Sequence, residues 1–87
     1  MSAITVLFFA TLRDQAGRRQ LELPWPEAAT VAELKERLSR EVPGLAAALS
    51  NAVAAVNREF ATSETLILPG AEVAFFSPVS GGSGPDF

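Results

Sequence analysis

Few side chains in this sequence can do chemistry unaided. Cysteine, histidine and tyrosine are all absent. Their absence excludes thiolate nucleophiles, disulfides, zinc–thiolate and iron–sulfur sites, the commonest general base and any Ser–His–Asp triad. Carboxylates remain: Glu33, Glu36 and Glu41 in one segment, Glu59, Glu64 and Glu72 in another. Their contexts are those of solvated helix faces and loops, so they are not read as an acid–base pair, and no metal site is expected. Gly81-Gly82 lies in a Ser/Gly/Pro run from Ser80 to Pro85. It is no phosphate loop, because such a loop needs a strand before it and a helix after it, and the residues that follow cannot supply a helix. A self-sufficient hydrolase is not expected. A binding module, a carrier or a subunit that completes another protein's site is.

Composition supports that reading. With 87 residues, 48% of them hydrophobic, the chain makes one small globular domain. Net charge is −3, Lys35 is the sole lysine, and the arginines are scattered from Arg13 to Arg58. Nucleic-acid binding needs clustered cations, so no nucleic acid is expected. Ala3 to Ala10 is apolar, but no Lys or Arg precedes it. A membrane helix needs about 20 apolar residues. A cytoplasmic protein without membrane contact is expected.

Several elements must position any site. Met1 to Ala10 alternates as a strand, with Ile4, Val6 and Phe8 on a core face and Leu7 and Phe9 on a partly open one. Thr11 to Gly17 reads as a turn or one helical turn. Arg18 to Leu23 reads as an edge strand ended by Pro24. Thr30 and Glu33 form the T-x-x-E pattern of a reciprocal capping box, and Val31, Leu34 and Leu38 follow at helical spacing. Pro43-Gly44 stops that helix, and Leu45 to Leu49 gives a shorter helical piece. Ala52 to Val56, Leu66 to Leu68 and Val73 to Phe76 read as strands, with a turn at Pro69-Gly70. Phe60 stands alone among polar residues. This order suits a sheet with one helix laid across a face, whereas a ferredoxin-like split βαβ would need a second long helix. Residues 1–79 form the domain and 80–87 a flexible tail.

The aromatic residues are more informative than the acids. Adjacent strand residues point to opposite faces, so Phe9 cannot share a face with Phe8, nor Phe76 with Phe75. One of each pair lies on the outer face or under another element. With Phe60 they could form a second small cluster beneath loops, or an apolar patch for a partner protein.

Three segments carry a resemblance. These are Ile4-x-Val6-Leu7-Phe8-Phe9-Ala10 with Arg13 beyond it, Ala55-Val56-Asn57, and Gly70-x-Glu72-Val73-Ala74-Phe75-Phe76-x-Pro78-Val79-Ser80-Gly81-Gly82. From the first strand to Gly82 the chain resembles the small subunits of molybdopterin synthase (the MoaD type). The resemblance implies an α+β, ubiquitin-like β-grasp fold with a mixed sheet and one main helix packed across one face. It implies a sulfur carrier, the sulfur-donating subunit of a complex rather than a stand-alone catalyst. Its terminal glycine is adenylated by an E1-like enzyme that uses ATP, a sulfurtransferase supplies sulfur, and the resulting thiocarboxylate serves the dithiolene of molybdopterin. No cofactor is bound by the carrier itself. By the same resemblance Gly82 is the reactive residue with Gly81 before it. Phe9, Phe60, Phe76, Pro78, Val79 and Ser80 meet partners, chiefly a large subunit with which the family forms a heterotetramer.

The chain departs from the family pattern in three places. Ser77-Pro78 replaces the family's Pro-Pro, and Gly70-Ala71-Glu72 its Gly-Asp-Glu. Gly82 is followed by Ser83-Gly84-Pro85-Asp86-Phe87 and so has an amide where the chemistry needs a carboxylate. Removal of Ser83 to Phe87 by a processing protease is the expectation. The alternatives are a β-grasp sulfur carrier for another acceptor, as in thiamine or tRNA thiolation, and a non-catalytic adaptor that binds through the aromatic patch.

Overall fold

A computed structural model describes residues 2–77. Strand β1 (Ala3–Phe8) buries Ile4, Val6 and Phe8 and leaves the alternate residues half-buried or exposed, as its alternation requires. Helix α1 (Thr11–Ala16) follows and stops at Gly17, whose φ of 76° suits a residue without Cβ. Strand β2 (Gln20–Pro24) then runs antiparallel to β1 at the sheet edge.

Helix α2 (Val31–Glu41) places Val31, Leu34 and Leu38 in the core. Half of the expected capping box forms: the Glu33 N–H donates to Thr30 Oγ1 at 3.2 Å. The other half does not. Thr30 belongs to a two-residue strand, β3 (Ala29–Thr30), that pairs with β6 (Leu66–Ile67). The Glu33 carboxylate turns instead to Arg37 one turn on, at 2.9 Å. Pro43 does not end helical structure outright. It opens a 3-10 turn (Pro43–Leu45) that leads into α3 (Ala46–Ser50) and buries Leu45 and Leu49.

The main sheet is completed by β4 (Val53–Val56), β5 (Glu59–Ala61) and β7 (Glu72–Phe76), in the order β2-β1-β7-β4-β5. The first and last strands lie side by side and parallel at its centre, and every other pairing is antiparallel. One face of this mixed sheet (Ile4, Val6, Phe8, Val73, Phe75) packs with Leu34 and Leu38 of α2 in a single core. This is the α+β arrangement expected, with the main helix across one face. Strand β5 is an addition, because Phe60 is part of a strand rather than an isolated loop residue. Among the described residues no helix is long and apolar enough to cross a membrane.

Two large core residues escaped the sequence reading. Leu12 anchors α1 and is fully buried. Trp25 is fully buried as well. Its indole N–H donates to the Ile67 carbonyl at 2.9 Å, and the Arg37 guanidinium sits 4.5 Å from the ring centroid. Trp25 thus joins the chain after β2 to β6 and to α2. Replacing it (Trp25→Phe) keeps an aromatic ring but removes the buried hydrogen bond to the Ile67 carbonyl. The expected loss is about 1–3 kcal/mol of stability, read as a lower denaturant midpoint at an unchanged slope.

Candidate functional site

Among the described residues no helix covers the opposite face of the five-stranded sheet, which holds the exposed aromatics. Strand register shows how they meet. Leu7 pairs with Ala74, Ala74 with Ala55, and Ala55 with Phe60. These residues form one row across four strands. Phe76, paired with Val53, belongs to the next row. Phe9 sits just past β1, and its N–H donates to the Phe75 carbonyl, which sets it beside Phe76.

The rings touch one another. Phe9 and Phe76 stack edge-to-face with centroids 5.4 Å apart, and Phe60 lies 6.4 Å from Phe76. Both spacings are those of favourable aromatic pairs. Phe60 is nonetheless 74% exposed and Phe9 48%, whereas Phe8 and Phe75 are buried on the core side. The parity argument holds for both pairs. Ala55 is buried yet stands apart from the core cluster, and it lines the hollow with Phe60 and Phe76. Small Ala55 and Ala74 form the floor and larger side chains the walls of a hollow of about 420 Å³. Arg58 and Glu72 are its polar lining residues. Arg13 and Arg19 border the adjoining depression beside Phe9.

Backbone geometry fixes the aromatic positions. Asn57 and Arg58, with φ of 51° and 71°, make the two-residue turn between β4 and β5. Asn57 locks that turn to β7: its N–H donates to the Glu72 carbonyl at 2.7 Å, and its Oδ1 accepts from the Glu72 N–H at 3.0 Å. This sets Phe60 on the edge strand opposite Ala55, within reach of Phe76. An asparagine at a hairpin corner was the signal for β5 in the sequence. Ala10 has φ 53° and ψ −127°, a conformation proper to glycine, at the corner that turns the chain from Phe9 into α1. Beyond β7, the hydroxyls of Ser77 and Thr11 are hydrogen-bonded, so α1 holds the point where the chain leaves the sheet.

The acidic residues do not gather. Among the described residues no three are placed to hold a metal ion. Phe9, Phe60 and Phe76 come together as expected. Gly81, Gly82, Pro78, Val79 and Ser80 lie outside the described residues.

This combination, one helix gripped by a mixed sheet whose bare face carries an aromatic patch, defines a ubiquitin-like β-grasp domain. SAMP1 from Haloferax volcanii superposes with a TM-score of 0.80 at 27% identity, over 92% of this chain and 99% of that one. Residues 6–82 match the model of the ThiS family. The chain is 33% identical over 79 residues to the molybdopterin synthase sulfur carrier subunit of Arabidopsis thaliana, covering 91% of this chain and 82% of the relative. It is 36% identical over 81 residues to that of Escherichia coli (strain K12), covering 91% and 99%. The chain belongs to the ThiS family. Its fold also matches a chain in the complex of subunits 1 and 2 of the molybdopterin-converting factor from Helicobacter pylori 26695, with a TM-score of 0.65, at 21% identity and over 92% and 99% of the two chains.

Two substitutions separate the sheet faces. Phe75→Ala is expected to cost about 3–5 kcal/mol, as a buried ring does. Phe60→Ala should cost under about 1 kcal/mol, because it removes only an exposed aromatic pair. Thermal unfolding of both variants checks this. Ala10→Gly should raise stability by about 1 kcal/mol, since glycine adopts that backbone without strain.

Proposed function

We propose that this chain is the sulfur carrier of a molybdopterin synthase and acts through a carboxyl group at Gly82. The observation that supports it most is the continuity of patch and tail. Phe76 ends the central strand within the aromatic face, and Gly82 follows six residues later. The face gives a rigid docking surface, and the tail gives reach. Ser77 to Gly82 fully extended spans roughly 20 Å at about 3.3 Å per residue, enough to enter a site inside another protein while the domain sits outside. Glycines suit a narrow passage because they lack Cβ.

The chemistry begins with hydrolysis of the Gly82–Ser83 amide. Water adds across the bond, leaving a carboxylate on Gly82 and an amine on Ser83. An E1-like partner then joins that carboxylate to the α-phosphorus of ATP and releases pyrophosphate. The acyl adenylate has a good leaving group. A sulfide-level nucleophile delivered by a sulfurtransferase displaces AMP and leaves the thiocarboxylate. In the large subunit that sulfur passes to the pterin precursor. A dithiolene holds two sulfurs and each carrier brings one, so two loaded chains are consumed per product, which agrees with a complex holding two copies of each subunit. The partners supply the acids, bases and nucleophilic sulfur, so this chain needs none of them. Its own residues bind, orient and present. ATP belongs to the activating enzyme, and all of this chemistry suits the cytoplasm.

The test is mass spectrometry of the chain isolated from its own cells, together with Gly82→Ala and Phe60→Asp variants. The expected result is a species ending at Gly82, with a fraction in which sulfur replaces one carboxylate oxygen. Gly82→Ala should lower sulfur transfer at least tenfold while large-subunit binding persists. Phe60→Asp should weaken that binding by about tenfold or more, as loss of an aromatic anchor does. If Gly82→Ala leaves transfer intact, the carrier reading fails.

A further inference from the structure

Strand β2 forms one edge of the main sheet and pairs with β1 alone. Which backbone groups its outer side offers follows from the ladder. The Phe8 N–H donates to the Arg19 carbonyl at 2.8 Å, and the Trp25 N–H to the Ser2 carbonyl at 3.0 Å. Such bonded pairs recur at every second residue of an antiparallel ladder. Leu21 and Leu23 are therefore the residues bonded to Val6 and Ile4, while Gln20 and Glu22 turn N–H and C=O away from β1. Among the described residues no backbone group pairs with them on that side. We propose that this edge is a second interaction surface, and that its occupant is an extended segment of a partner protein, apolar at its centre and acidic at both ends, which adds to β2 as a further strand.

Side chains call for the apolar centre. Alternation turns Leu21 and Leu23 toward α2; Leu23 is buried, and Leu21 stays half-buried at the margin of the core. Between the strand and the helix lies a groove of about 260 Å³, lined by Leu23, Pro24, Arg37, Arg40 and Glu41. A branched apolar side chain on an added strand covers Leu21 and enters this groove. In strand addition the main-chain bonds give affinity, and such pockets give selectivity.

Charge calls for the acidic ends. Arg18 and Arg19 immediately precede β2 and are exposed. Arg40, exposed on the last turn of α2, lines the groove at the Pro24 end. Among the described residues none of these three has an acidic partner, whereas Arg37 is held by Glu33. Cations thus bracket the open edge of a protein whose net charge is −3. Acids at both ends of an incoming segment meet arginines at both ends of β2. The same placement disfavours a second copy. Antiparallel pairing of two β2 edges lays the Arg18 and Arg19 end of each copy against the Pro24 end of the other, where Arg40 stands, and like charges meet.

The groove and the aromatic hollow share no lining residue. They lie on opposite faces of the sheet, so a strand held at β2 leaves the hollow open. The chain can be gripped by one partner while its aromatic face meets another, and this use of the edge does not depend on sulfur chemistry.

NMR titration of the full chain with the blocked peptide Glu-Glu-Thr-Ile-Thr-Glu-Glu tests this. Saturable shifts of the Gln20, Glu22 and Arg40 amides are expected, with a Kd of about 1 mM or below, together with slower hydrogen exchange at Gln20 and Glu22. The counterpart Lys-Lys-Thr-Ile-Thr-Lys-Lys should bind at least about tenfold more weakly. Arg40→Glu, at an exposed position that the fold does not need, should weaken the acidic peptide about three- to tenfold. Glu22→Pro removes an outward N–H at an edge position where proline is tolerated. It should abolish the shifts, and an otherwise unchanged spectrum would show that the sheet is kept. Equal binding of the two peptides overturns the proposal, as do saturable shifts centred on Phe9, Phe60 and Phe76 in place of β2. Absence of any shift at about 5 mM peptide overturns it too. Protection of Gln20 and Glu22 that rises with protein concentration in the peptide-free chain assigns the edge to a second copy and overturns it as well.

Discussion

The parallel pairing of β1 with β7 at the centre of the main sheet governs everything on either side of it. Parallel neighbours cannot be joined by a tight turn. The chain between them therefore leaves the sheet, forms α2 and the small β3–β6 ladder, and returns. The helix packs on one face, and the other stays bare. Register does the remaining work. Phe8 lies opposite Phe75, so Phe9 and Phe76 fall together on the bare side. A slip of one residue in either strand would exchange that strand's pair between core and solvent, and the cost of exposing Phe8 or Phe75 holds the register fixed. The aromatic face and the core are thus two consequences of one alignment.

A small domain that leaves rings in water needs ways to limit the cost. Here the rings shelter one another and the alanines beneath them. Ala55 and Ala74 sit at the middle of the face, where larger side chains would fill the hollow. Phe60 comes in from the outermost strand, on a hairpin that Asn57 fastens to β7 through two hydrogen bonds. The face is concave because its small residues are central and its large ones peripheral. That shape suits a protruding apolar group.

Much of this was legible in the sequence, for reasons that differ between elements. The alternation of Ile4, Val6 and Phe8 set Phe8 inward and Phe9 outward, and strand parity, a local rule, separated Phe75 from Phe76 without saying which of the two is buried. Thr30 marked the start of α2 for the same reason: its cap needs only the next few residues. Of the strands of two or three residues, β6 was read from its apolar run, but β3 and β5 went unseen, since no period is visible at that length. Trp25 was illegible because its role is set by Ile67, 42 residues away. The capping box was half wrong because Arg37 offers Glu33 a charged partner that the pattern ignores. Gly82 differs from all of these. A glycine carries no functional group, so no spacing rule reveals a reactive one. Resemblance alone drew notice to it.

That last point explains how function is divided within the chain. The reacting atom of a carrier belongs to the backbone, so the domain contributes no acid or base, only position. Position depends on the stiffness of whatever the tail springs from. Its root is the central strand, bonded on both sides, with Ser77 held to Thr11 at the exit. A root on an edge strand would let the origin of the tail wander and dilute the glycine over a larger volume. If partners dock on the aromatic face as proposed, the distance from that anchor to the Gly82 carbonyl is set by the few residues after Phe76. The effective concentration of the carbonyl at the partner's site then follows from linker length alone. On that proposal the aromatic patch and the glycine pair are the two ends of one ruler, and changing the number of residues between them should matter more than changing which residues they are.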